Sequence, residues 1–172
     1  IAYERTTFDP RSGAWSDLRD DRRTEDGAQG QFHAWCHGGP GITLARLCLP
    51  SSYRDQQWAI EVEAGIRNTM LHGFGAGHCL CHGDLGNLDV LIEADRQGLV
   101  PSDVVDWRRR SGQVLERVLD RPRCGSHAQI ELFGLMTGIA GIGYGLLRCI
   151  DPHAVPSVLA LQLPDTASRL SL

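Results

Sequence analysis

The sequence predicts an all-α fold with the pattern of an α/α toroid, and three observations carry that prediction. The motif Gly-x-x-Gly opens an apolar run three times, at Gly38/Gly41, Gly83/Gly86 and Gly138/Gly141. Its copies are spaced (38 to 83, then 83 to 138) so that two helices and their loops fit between them. Each apolar run follows an amphipathic or polar one, which is the alternation of inner and outer helices in a ring of helix pairs. Glycines at the inner helix starts let backbones pass closely where the helices converge.

Residues 1–34 are polar and rich in loop signals, among them Phe8-Asp9-Pro10, Ser12-Gly13, Asp20-Asp21-Arg22-Arg23 and Glu25-Asp26-Gly27. They are expected as an irregular surface excursion pinned by Trp15 and Leu18, ahead of a body over residues 35–172. From Trp35 the pattern changes. Gly38-Gly39-Pro40-Gly41 leads into a short apolar helix that ends at Pro50. Ser51 or Ser52 is expected to cap a second helix, in which Trp58, Val62, Ile66 and Met70 recur every four positions. A mostly apolar helix from Leu85 closes around Gly98. Asp103 is expected to cap the next, with Val104, Trp107, Val114, Leu115 and Val118 inward and Ser111-Gly112 as a point of interruption. Pro122 and Gly125 separate it from a helical pair over Ile130–Met136 and Ile139–Ile150, and Val155 to Leu163 reads as an extended tail.

At 172 residues, with 42% hydrophobic and 22% charged, the chain has the length and composition of one globular domain. A net charge of -4 leaves no electrostatic footprint for nucleic acid, and Arg108-Arg109-Arg110 reads as a solvated helix face. No apolar run reaches the ~18 residues of a membrane span. The start, Ile1-Ala2-Tyr3-Glu4-Arg5, lacks the features of a signal peptide and the initiator Met, so a fragment or processed chain is expected. Six Cys could make three disulfides, but the absence of a secretory signal and the placing of Cys beside His in glycine-rich turns favour reduced thiols and a cytoplasmic setting.

Five of the seven His and four of the six Cys fall between His33 and His82. The densest stretch is His78-Cys79-Leu80-Cys81-His82-Gly83-Asp84-Leu85-Gly86-Asn87, and a shorter version is Trp35-Cys36-His37-Gly38. Thiol and imidazole together are the donors that zinc takes. By spacing alone Cys79-x-Cys81 is as good a chelating pair as Cys81-His82, and buried free thiols with a capping His are the competing account. His37 and His78 are candidates for supporting donors or acid/base groups. Asp84 is expected to cap the helix after Gly83, Asn87 to bond a neighbouring loop, and Trp35 to pack beneath the cluster. Cys48, Cys124 and Cys149 lie outside the ligand pattern and read as simple hydrophobes.

The motifs Trp35-Cys36-His37-Gly38 with Gly41-Ile42, Leu80 to Asn87, and Gly134-Leu135-Met136-Thr137-Gly138-Ile139-Ala140-Gly141-Ile142-Gly143-Tyr144-Gly145-Leu146 resemble the C-terminal part of a LanC-like lanthionine cyclase. More narrowly they resemble the cyclase region of class II (LanM-type) lanthipeptide synthetases, over about residues 33 to 163 and in register across all three repeats. The resemblance implies about the C-terminal half of an α/α toroid that holds one Zn²⁺ through Cys36, Cys81 and His82, leaving Cys79 in the core. It implies addition of precursor-peptide Cys thiols to dehydroalanine or dehydrobutyrine, closing thioether rings. The implied partners are a dehydrated precursor peptide and the N-terminal part of the synthetase, where the family's proton-transferring Asp and His lie. Within this chain His37 is the nearest candidate for assisting proton transfer. Some cyclases carry an Arg four positions before the first zinc Cys; here that position is Phe32. A truncated, non-catalytic module that binds zinc or peptide is the alternative expectation.

Overall fold

The computed structural model describes residues 1–16, 33–104, 106–125 and 131–164. Five helices of two turns or more build the body: α2 (Gly39–Leu47), α3 (Gln56–His72), α4 (Asp84–Arg96), α5 (Trp107–Asp120) and α6 (Ile139–Ile150). A one-turn helix α1 (Ala2–Arg5) and two minimal hairpins precede them: β1 (Phe8–Asp9) with β2 (Ala14–Trp15), and β3 (His33–Ala34) with β4 (His37–Gly38). The fold is all-α. Among the described residues no helix is long and apolar enough to cross a membrane.

The middle inner helix, α4, is the centre of the body, and every residue from Asp84 to Ala94 is buried. It packs against α2, α3, α5 and α6, while α3 also packs on α2. Leu85, Leu88, Val90, Leu91 and Ile92 join Leu44, Leu47, Ile66, Val114, Val118 and Ile142 in one core. Burial of this apolar surface is the main stabilising term. The helices opened by the three Gly-x-x-Gly motifs are therefore neighbours, with amphipathic α3 and α5 laid against them.

Close approach explains the second glycine of each motif. A Cβ on Gly41 would lie 1.9 Å from the Trp35 carbonyl oxygen, on Gly86 1.9 Å from that of Leu80, and on Gly141 1.7 Å from that of Leu135. Each obstructing carbonyl is six residues upstream, so all three repeats make the same turn. Only glycine lets the helix pass there.

Two buried ion clusters tie the ends of the chain to this body. Arg148 of α6 donates to Asp89 at 2.8 Å and to Glu93, both on α4, and also to the carbonyls of Pro152 and Val155. Ser157 donates to Asp89 as well, so three polar side chains and the tail satisfy one another away from water. Burial raises the Asp89 carboxyl above its usual range, and the facing Arg148 charge opposes that shift. At the other end, buried Arg46 meets Glu61 at 2.6 Å and Glu4 at 2.7 Å, and Arg5 bridges Glu61 and Asp55.

Several local expectations are corrected. Ser51–Tyr53 form a single 3₁₀ turn, and Asp55 caps α3 instead, accepting from the Trp58 N–H at 2.7 Å. Asp103 pairs with Arg67 rather than capping α5, which runs through Ser111-Gly112 without a break. The described part of the expected helix before Met136 is a turn. Two of its carbonyls serve partners outside a helical ladder: Leu132 accepts from Ile139 and Met136 from Cys81; just beyond it, Thr137 accepts from Gly125. Residues 155–163 form turns laced to Arg148 rather than an extended strand. Residues 1–16, expected as irregular, hold α1 and a hairpin, with Trp15 buried as expected. Leu18, the charged loop signals at 20–27, Phe32 and Ile130 lie outside the described residues.

Gly86→Ala is expected to lower stability by about 1–3 kcal/mol or more, because the Leu80 carbonyl cannot retreat. Gly112→Ala, with open space around it in α5, is expected to raise stability by about 0.5–1 kcal/mol. Urea unfolding of both variants checks the pair. Arg148→Met should lower stability by about 3–5 kcal/mol, since two buried carboxylates lose their cation; equilibrium denaturation against wild type measures it.

Candidate metal centre

The β3–β4 hairpin has Trp35-Cys36 as its two turn residues, with His33 opposite Gly38 and Ala34 opposite His37. Gly38 then takes φ +94, a left-handed conformation suited to glycine, and redirects the chain into α2. Cys36 is thereby held at the tip of a rigid turn just before an inner helix. Cys81-His82 occupies the same place before Gly83 and α4.

Backbone hydrogen bonds join these turns across repeats. The Cys36 N–H donates to the Cys81 carbonyl at 3.1 Å, and the Cys81 N–H donates to the Met136 carbonyl at 2.8 Å. Asn87 adds a side-chain tie: its Nδ2 donates to the His33 carbonyl at 2.7 Å and to the Gly73 carbonyl at 2.6 Å. The hairpin bearing Cys36 is therefore fastened to the helix that follows Cys81-His82. Asp84 does not cap its own helix; it accepts from the Gly75 N–H at 2.7 Å and from Arg117 at 3.1 Å.

The result brings Cys36, Cys81 and His82 together, with one ligand atom from each within 4.8 Å of the others. All three are half-buried. Among the described residues no other group of three or more such side chains converges. A tetrahedral zinc with Zn–S of about 2.3 Å sets its sulfur ligands about 3.8 Å apart, inside that bound. Two thiols and one imidazole are also a donor set zinc prefers, so the residues present fit the ion. Zinc held by these three side chains would keep a fourth position open, as in catalytic rather than structural sites.

Burial, with the Cys81 thiol alongside, pushes the Cys36 thiol up to about 11. Loading a cation here must therefore release thiol protons, which makes metal affinity depend on pH. His37 lies against the same sulfur, its Nδ1 3.0 Å from Cys36 Sγ. Cys79 stands outside the converging set, fully buried, with its thiol also pushed up by burial. His78 is engaged elsewhere: its Nδ1 accepts the Arg123 N–H at 3.0 Å, so its proton sits on Nε2, and burial lowers its pKa. Trp35 is half-buried and packs against the core. Of the remaining thiols Cys124 and Cys149 pack with the core, the latter pushed up to about 12 by burial, whereas Cys48 is exposed.

Sequence reasoning passed over two features of this region. Met136-Thr137 is the third-repeat counterpart of Cys36-His37 and Cys81-His82, two residues before its own Gly138. The common Gly-x-x-Gly register was the signal that pointed to it. The other is Gly125, read only as a separator, whose backbone lies against the His82 imidazole.

Comparison with known proteins matches residues 1–160 to the family described as "Lanthionine synthetase C-like protein". The lacticin 481/lactococcin biosynthesis protein LcnDR2 of Lactococcus lactis subsp. lactis is 28% identical over 136 residues, covering 66% of this chain. The match takes in 14% of that relative's length, so the chain corresponds to a small part of it. With the repeat register, the converging ligand group and the match over residues 1–160 in agreement, the chain belongs to the lanthionine synthetase C-like family.

Proposed function

We propose that this chain is the C-terminal part of a zinc-dependent lanthionine cyclase, acting on dehydrated precursor peptides as part of a lanthipeptide synthetase. The observation that carries the reading is the convergence of Cys36, Cys81 and His82 within 4.8 Å. Family membership and the likeness to a lacticin biosynthesis protein support the choice of chemistry.

Zinc, when bound by these three donors, supplies an open tetrahedral position at which a substrate Cys thiol is held deprotonated near neutral pH. Cys36 and Cys81 bring two negative sulfurs to the site and keep it electron-rich. His82 completes the set without adding charge. His37, at 3.0 Å from Cys36 Sγ, is the residue placed to hold or move a proton at that thiol. In the overall reaction a C–S bond forms to the β-carbon of dehydroalanine or dehydrobutyrine, and a proton is added at the neighbouring α-carbon. We assign that proton's donor to the rest of the ring.

The same reading makes the five helices α2–α6 an arc of an α/α toroid, closed by the remaining part of the synthetase. One face of α6 supports this. It presents Ile139, Gly143, Leu147 and Ile150 to solvent, and Ile150 is 77% exposed. An apolar stripe of this kind on an inner helix suits a further inner helix. It also favours, as a second reading, that the chain by itself is a non-catalytic module that needs its partner.

Atomic emission on the purified chain is expected to find about one zinc per chain, largely lost in Cys81→Ala and retained in Cys79→Ala. Zinc-free, folded wild-type protein would overturn the assignment. For the partner, Leu147→Lys with Ile150→Lys is expected to leave the far-UV circular dichroism unchanged. The pair should abolish co-purification with the N-terminal part of the synthetase. Undiminished co-purification would remove the α6 face from the interface, and ring formation by the 172-residue chain alone would dismiss the non-catalytic reading.

A further inference from the structure

The segment Arg123–Gly125 is laced onto the back of the Cys-His stretch. The His78 N–H donates to the Arg123 carbonyl at 3.0 Å, and the Arg123 N–H donates back to His78 Nδ1 at 3.0 Å. Two residues on, the Gly125 N–H donates to the Thr137 carbonyl at 2.7 Å. The Arg123 guanidinium adds a bond to the Gly75 carbonyl at 3.3 Å. The segment therefore spans from the second repeat's turn to the third's, fastened at both ends.

Between those fastenings it presses on a proposed ligand. A Cβ on Gly125 would lie 2.7 Å from both Cε1 and Nε2 of His82, and 2.8 Å from Cys79 Sγ. No side chain fits there unless the imidazole moves. Gly125 is not among the described glycines with positive φ, so its requirement is steric rather than conformational. The imidazole is thus hemmed in by this backbone while one of its nitrogens lies within 4.8 Å of the Cys36 and Cys81 sulfurs.

We propose that Gly125 is a positioning residue of the metal centre: the Arg123–Gly125 strap holds the His82 imidazole in its ligating orientation. The proposal rests on the metal-site reading above. Outer supports of this kind orient inner ligands, and their loss weakens metal binding by about 10–100-fold.

The test uses Co²⁺ as the probe on the full chain, read by its thiolate charge-transfer and ligand-field absorption. Wild type is expected to bind with both signatures. Gly125→Ala is expected to fold by circular dichroism and keep the thiolate bands. Its ligand-field bands should shift toward those of His82→Ala, with affinity about 10–100-fold lower. Wild-type affinity and spectrum in folded Gly125→Ala overturn the proposal, whereas absence of thiolate bands in wild type overturns the metal-site reading beneath it. If Gly125→Ala does not fold, Cys79→Ala is added to remove the 2.8 Å contact while keeping the two at 2.7 Å. Folding restored without the wild-type spectrum supports the proposal. Restoration of both, or of neither, overturns it.

Discussion

One close contact, made three times, governs this molecule. The second glycine of each Gly-x-x-Gly lies so near the carbonyl six residues upstream that a Cβ would penetrate it. That contact forces the chain to double back tightly just before each inner helix. The turn so formed carries its side chains at the same place in every repeat: Cys36 and His37, Cys81 and His82, Met136 and Thr137. Inter-repeat hydrogen bonds from Cys36 to Cys81 and from Cys81 to Met136 then align the turns with one another. The convergence of Cys36, Cys81 and His82 follows from this alignment. Cys36 and Cys81 are 45 residues apart in sequence (36 to 81) yet share a backbone hydrogen bond.

The polar residues inside α4 make sense in the same frame. A helix buried from Asp84 to Ala94 with Asp84, Asn87, Asp89 and Glu93 in it would be unstable if those groups lacked partners. Each has one. Asp84 holds the Gly75 loop and Arg117, Asn87 holds the hairpin of Cys36, and Asp89 and Glu93 receive Arg148. These side chains leave the central helix on two nearly opposite sides, Asp84 and Asn87 on one and Asp89 and Glu93 on the other, and each pair holds the segments it bonds. Removing water from these pairs makes each geometrically demanding, which favours one arrangement of the chain over near alternatives.

Much of this was legible beforehand, for identifiable reasons. The inner helices were marked by breaker glycines followed by apolar runs, and α3 and α5 by periodic apolar residues; both are local signals. Helix starts were less legible. Asp55 and Asp103 are equally good caps on paper, but Asp103 is captured by Arg67 from another helix. The stretch up to Met136 has helical composition, yet the Leu132 carbonyl bonds to Ile139 and the Met136 carbonyl to Cys81 instead of to the next turn. Distant partners overrode local propensity there.

For the site, the sequence by itself determined the donor types and the repeat register, because the Cys-His pairs and the glycines lie within a few residues of one another. Spacing alone left Cys79 and Cys81 as rivals. The tertiary structure gives them different surroundings: Cys79 is sealed in the core against Gly125, while Cys81 sits on the turn that faces Cys36. It also decided the strap over His82, which joins residues of two repeats through contacts that no local pattern encodes. Convergence of this kind depends on where the backbone turns meet in space, and only the packed helices set that.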